Sequence, residues 1–286
     1  MKNLPELTKA AIAAVVGLLL VTSGCGGTEE QKGETAEETT APGGAVWTPT
    51  GDEGTLTGKV AFQGQAPKFR AIAMDADAVC AAKHSKPVYP EAVIVNSNGT
   101  LRNVFVYVKT GLEDKNFAVP DDPVELDQDG CIYKPHVLGI QSRQNLRVVS
   151  SDNTTHNIHP MPKVNREWNV SQPPGADPII QVFNRPEATI PVKCNQHPWM
   201  RAYIHVISHP FYALSGEDGT FEIKGLPPGK YQLEAVHEEY GASTQEVTVA
   251  AKQSVPVEFK FQAAQTYTPS SLKVMPALVL SCCAGK

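Results

Sequence analysis

A thiol, an imidazole and a thioether stand at three-residue intervals in the run Cys194-Asn195-Gln196-His197-Pro198-Trp199-Met200. Upstream, His156-Asn157-Ile158-His159 offers another imidazole at His156. A thiolate, two imidazoles and a weak axial thioether are the ligand set of copper sites that exchange electrons. Two imidazoles and a thiolate form a near-trigonal plane acceptable to both oxidation states, so the ion changes charge without large ligand movement. A long thioether then tunes the potential. Zinc is the rival metal for a Cys/His set, but it prefers ligands other than thioethers. His159 is three residues from His156, so an alternating strand points it away from the set unless a bulge intervenes. Met200 also has a plainer reading, as a core residue.

Such ligands need rigid elements on either side, and the sequence supplies short strands. The run Gly54 to Gly64 alternates apolar and polar residues up to a turn at Gly64–Pro67, and Leu101 to Lys109 alternates strictly. Val124–Gln128, Leu146–Ser151, Ile179–Phe183 and Ala188–Lys193 read as further strands. Alternation resumes from Gly219 to Val236 across Pro227-Pro228-Gly229, and continues in Glu246–Ala250 and Pro256–Phe261. One brief helix is expected near Ala76–Lys83. With 22 glycines and 23 prolines as punctuation, the fold class is all-β, built as sandwiches. The long loop Asn165–Gly175 reads either as a recognition element or as plain surface.

Composition narrows the function. Apolar residues make up 41% and charged residues 19% of the 286, an ordinary globular balance. The net charge of -5, without a basic block, excludes a nucleic-acid partner. Lys2 and Lys9 precede an apolar run, Ala10–Val21, that is too short to span a bilayer and suits a signal peptide. It ends in Val21-Thr22-Ser23-Gly24-Cys25. This resembles the lipobox of bacterial lipoproteins, apart from Thr22 where leucine is usual. The resemblance implies that residues 1–25 are a signal, that Cys25 is lipidated, and that the protein is exported and anchored to a bacterial membrane, facing the periplasm or the exterior. Residues 26–53, rich in Gly, Thr, Glu and Pro, read as a disordered tether.

Two further resemblances set the domain plan. Ser215–Val236, with its Asp-Gly-x-Phe-x-Ile-x-Gly-Leu-Pro-Pro-Gly-x-Tyr pattern, resembles the carboxypeptidase regulatory-like domain, a transthyretin-like sandwich also found as an accessory domain of rhamnogalacturonan lyases. The first strand of that family, Gly-x-Val-x-x-x-Gly-x-x-Pro, matches Gly58–Pro67 instead. One sandwich split into 54–113 and 208–262, with a domain at 114–207 inserted, accounts for this; three tandem units are the alternative. The block 114–207 resembles the cupredoxins, and the amicyanins among them, in its histidine followed by asparagine and its Cys-x-x-His-x-x-Met loop. That resemblance implies a Greek-key sandwich holding copper through His156, Cys194, His197 and Met200, with Asn157 bracing the cysteine loop. It further implies single-electron shuttling rather than catalysis, with a redox protein (a dehydrogenase, oxidase or cytochrome) as partner. Trp199 then reads either as part of a docking face beside His197 or as a plug for the top of the sandwich.

The remaining cysteines carry separate expectations. In an exported chain, Cys80 and Cys131 are expected to pair as a disulfide. A rival reading joins them with His84 and His136 as a zinc site. Cys282 and Cys283, in the tail 263–286, read as a vicinal disulfide, a soft Cu(I) site or an incidental pair. Two other functions are compatible with the same sequence. One is a carbohydrate- or protein-binding module without a redox role; the other is copper storage or delivery.

Overall fold

In a computed structural model, residues 45–263 are described. Cys25, the expected signal segment, most of the expected tether and the tail with Cys282 and Cys283 lie outside them. In chain order the strands are β1 (Gly54–Gln63), β2 (Phe105–Thr110), β3 (Val124–Gln128), β4 (Tyr133–Lys134), β5 (Val137–Gln141), β6 (Asn145–Ser150), β7 (His156–Pro160) and β8 (Val170–Gln172). They continue as β9 (Ile179–Val182), β10 (Glu187–Lys193), β11 (Arg201–Ile207), β12 (Tyr212–Leu214), β13 (Thr220–Leu226), β14 (Gly229–His237), β15 (Gly241–Val249) and β16 (Ser254–Gln262). A single short helix, α1 (Ala78–Ala82), lies between β1 and β2 among the described residues. The protein is all-β. No helix among the described residues is long and apolar enough to cross a membrane.

The strands form two pairs of sheets. A three-stranded sheet β13-β1-β16 faces a four-stranded sheet β12-β2-β14-β15. Their inward residues alternate along the chain: Leu56, Val60 and Phe62 on β1, Phe221 and Ile223 on β13, Leu233 and Ala235 on β14, Val257, Phe259 and Phe261 on β16. Each fully buried Leu, Ile or Phe contributes about 1.5–3 kcal/mol, so this period-2 stripe is what drives the two sheets together. β1 runs parallel to β16 and antiparallel to β13, so the early strand completes a sheet with strands near the end of the chain. The second pair is β5-β11-β10-β7-β8 against β4-β3-β6-β9, around Leu126, Ile140, Leu146, Val148, Ile158, Ile190 and Ile204.

A smaller apolar cluster joins the sandwiches. β2 is buried on both faces: Val106 and Val108 point into the first core, while Phe105 and Tyr107 pack with Val137 of β5 and Ile207 of β11. At this contact the Tyr212 hydroxyl donates to the Gly139 carbonyl at 3.0 Å. A Cβ on Gly139 would stand 2.3 Å from the Tyr212 ring and 2.6 Å from that of Phe105, so the close approach requires glycine.

Two expected boundaries shift. The tether does not run free to residue 53: the Trp47 amide donates to Asn116 at 2.7 Å, and its ring packs on Phe117 and Phe211 at 5.7 and 6.1 Å. Burying that aromatic surface offsets the entropy of ordering the segment. Within 54–113, Ile72, Met74, Cys80 and Val88 pack into the second core rather than the first. This stretch, carrying α1, lies as a strap across the sandwich that holds the cysteine loop.

Candidate metal centre

Cys194 follows β10 directly and Met200 directly precedes β11, so the loop between them is the tip of an antiparallel hairpin. It is closed internally. The Cys194 amide donates to the Met200 carbonyl at 3.3 Å, and the Met200 amide to the His197 carbonyl at 2.9 Å. β7 pairs with β10 through Val192↔Pro160 and Lys193↔His159, which brings His156, at the start of β7, beside the loop. Cys194, His156 and His197 are buried, and Met200 is fully buried in the core that contains Cys194.

The donor atoms converge. The Nδ1 atoms of His156 and His197 face each other at 2.9 Å, and Cys194 Sγ lies 3.7 Å from His197 Nδ1. One donor atom from each of the three residues lies within 4.8 Å of the others. On the far side, each Nε2 meets a carboxylate: His156 meets Asp152 at 3.0 Å and His197 meets Asp77 at 3.1 Å. An ionised carboxylate only accepts, so each Nε2 carries a proton and each Nδ1 is left to turn inward. Two facing ring nitrogens beside a thiolate need a cation between them, and the donor set is one that copper accepts.

Electrostatics prepare the same centre. Burial alone would push the Cys194 thiol up, but bonds from His156 and the Asn157 amide outweigh it and bring its pKa down to about 6. Burial opposes a charged His156, yet the Asp152 and Cys194 partners raise its pKa to about 9. Both shifts favour the thiolate–imidazolium pair, which holds a proton where a metal cation could replace it. Asp77 is held down at about 2, chiefly by His197.

Asn157 ties the two ligand-bearing segments together. Its Oδ1 accepts from the Asn195 amide at 2.7 Å and lies 3.4 Å from Cys194 Sγ, while its own amide points at Sγ from 3.5 Å. Asn169 holds its Nδ2 at 2.7 Å. His159 turns away, to Glu167 at 2.5 Å.

Cys80 and Cys131 are bonded to each other. The rival zinc set is not assembled: His84 Nε2 lies against the Gly130 carbonyl, and His136 pairs with Glu238. The disulfide instead joins the two carboxylate holders. Asp77 caps α1, accepting from the amides of Val79 and Cys80 at 2.8 and 3.1 Å. Asp152 accepts from the amides of Gly130 and Cys131 at 2.8 and 2.6 Å and pairs with Lys83 at 2.9 Å. Gly130 and Cys131 both have positive φ, the turn conformation that aims successive amides at one anion. The Cys131 carbonyl accepts from Trp199 Nε1 at 3.0 Å. Asp77 and Asp152 are the residues that sequence reasoning missed. Asp77 carried a helix-capping signal and Asp152 a turn signal, but neither signal names a histidine. Trp199 is half-buried, with its ring 5.1 Å from that of His197.

Comparison with known proteins gives three findings. Residues 195–262 match the carboxypeptidase regulatory-like domain, a match that starts inside the Cys194–Met200 loop. No curated protein matches the chain. Among solved structures, the chain is similar to an amicyanin variant in its Cu(I) form (19% identity, TM-score 0.26, 35% of this chain and 97% of that one). It is also similar to a purple cupredoxin from Nitrosopumilus maritimus (19% identity, TM-score 0.25, 29% of this chain and 98% of that one). A copper-containing nitrite reductase from Thermus scotoductus SA-01 is similar at 21% identity and a TM-score of 0.27, over 35% of this chain and 25% of that one. The chain thus spans about a quarter of the reductase's length, and its structural neighbours are cupredoxin-type proteins.

Proposed function

We propose that the chain holds one copper ion through His156, Cys194, His197 and Met200 and passes single electrons between redox partners. The observation that carries this reading is the convergence of two imidazole Nδ1 atoms and a thiolate, each imidazole backed by a carboxylate. Copper bound there would supply a one-electron couple. The protein's own residues do the rest. Asp77 and Asp152 fix the ring orientations, Asn157 locks the cysteine loop to β7, and the buried surroundings keep water from the sulfur. Four protein donors leave no position for a substrate, which favours electron transfer over catalysis. Asp77 covers the outer nitrogen of His197, so we read Trp199, in ring contact with His197, as the face where a partner protein exchanges the electron. We further propose that the one sandwich interrupted by another is a unit exported and held at a bacterial membrane through lipid on Cys25.

Titration of the purified, metal-free chain with Cu(I) and Cu(II), using a competing chelator, tests the reading. One ion per chain is expected in either state, reversible cycling between them without loss of metal, and loss of the site in Cys194→Ser. Several ions per chain, or equal binding by the variant, would count against it.

A further inference from the structure

A cleft of about 400 Å³ opens beside the metal loop. Five separate segments line it: the strap and the stretch after it, residues 132–136 around β4, the Pro198–Trp199 corner, the start of β11, and the turn after β14. It therefore draws on both sandwiches, and of its lining only Trp199 enters the electron-transfer reading. Its volume falls in the range of sites for small organic ligands, about 300–1,000 Å³.

The lining has two chemical parts. Aromatic side chains form the walls: Tyr89, which is 55% exposed at the rim, with Phe69, Trp199 and Tyr203. Such walls favour a flat, unsaturated ring over an aliphatic chain. The polar part is rich in acceptors. The carboxylates of Glu91, Glu238 and Glu239 outnumber the single guanidinium, Arg201. Glu238 is the most fixed of them. Its side chain is 6% exposed and accepts from His136 Nε2 at 2.5 Å, while His136 Nδ1 lies 3.1 Å from the Arg201 carbonyl. Burial works against a charged His136, but Glu238 outweighs it and raises its pKa, so the pair is a preset polar floor under an apolar wall.

We propose that this cleft binds a small aromatic compound that carries hydrogen-bond donors, of the phenol or catechol class, its ring against Tyr89 and Trp199 and its hydroxyl groups directed to the carboxylates. A ring held there touches the residue that packs on His197. The binding itself needs no metal, so it stands or falls separately from the copper reading.

The test uses the metal-free full chain, titrated by calorimetry and by ligand-observed magnetic resonance. Catechol is compared with its dimethyl ether, which keeps the ring and loses both donors. Saturable one-to-one binding of catechol is expected, with the ether at least tenfold weaker. Tyr89→Ala, at an exposed rim position, should weaken catechol at least fivefold with an unchanged melting temperature; Glu238→Gln should weaken catechol but not the ether. Absence of saturable catechol binding, equal binding of both compounds, or an unaffected Tyr89→Ala variant would overturn the proposal.

Discussion

At the level of single residues, Asp77 and Asp152 do for the imidazoles what Asn157 does for the thiolate. A carboxylate behind a metal-bound histidine sets its tautomer and raises its basicity, and losing one typically costs about 10–100-fold in metal affinity. Asp77→Asn should lose affinity to that extent while the fold survives, because asparagine still caps α1. Asp152→Asn should lose affinity and also stability, by about 1–3 kcal/mol, because its carboxylate is fully buried among two amides, Lys83 and His156. Competitive copper titration and thermal melts separate the two effects; unchanged affinity in both variants would contradict the assignment. The difference also explains what was legible in the sequence. Cys194, His197 and Met200 share one loop, so their spacing alone reads as a ligand set. Asp77 lies 120 residues from the histidine it holds, and only the strap's path across the second core brings them together.

Among the elements, strands with one buried face and one wet face were legible, as β1, β13 and β16 illustrate by their alternation. β3 matched the expected Val124–Gln128. β5 and β11 were not legible because they are buried against the other sandwich: Gly139 is a residue strands disfavour and His205 a polar one on a buried face, until Phe105 is seen to pack on both. Trp47 likewise belongs to a segment whose composition reads as tether, and only Phe117 and Phe211 give it a place. The Gly139 contact is open to test. A branched side chain there would meet the Tyr212 and Phe105 rings, so Gly139→Val should reduce stability by about 1–3 kcal/mol in denaturant titration, the usual cost of overpacking. Wild-type stability in this variant would show that the two sandwiches are not in close contact at Gly139.

Across the whole molecule, buried histidines, His205 and His237 above all, should give the fold an acid limb. His205 stacks on Phe105 at the contact between sandwiches, at a centroid distance of 4.2 Å, and His237 ends β14. Burial lowers both pKa values to about 4 from an ordinary 6.5. Between pH 6.5 and 4 the unfolded chain binds protons that the folded chain refuses, so stability is full above pH 6.5 and falls as the pH drops through this window. Each pH unit of that window is worth about 1.4 kcal/mol, so each histidine contributes on the order of 3 kcal/mol across it. His205→Leu should flatten the acid limb in melts recorded from about pH 7 to 4; an unchanged slope would place the pH dependence elsewhere. Above all, a single loop and one strand end, clamped by two carboxylates, should make an electron-transfer copper site. The decisive experiment adds one equivalent of Cu(II) to the chain and records the visible and paramagnetic resonance spectra. An intense thiolate-to-copper band with narrow hyperfine splitting is expected, both absent in Cys194→Ser. A colourless protein that retains zinc in preference to copper would contradict it.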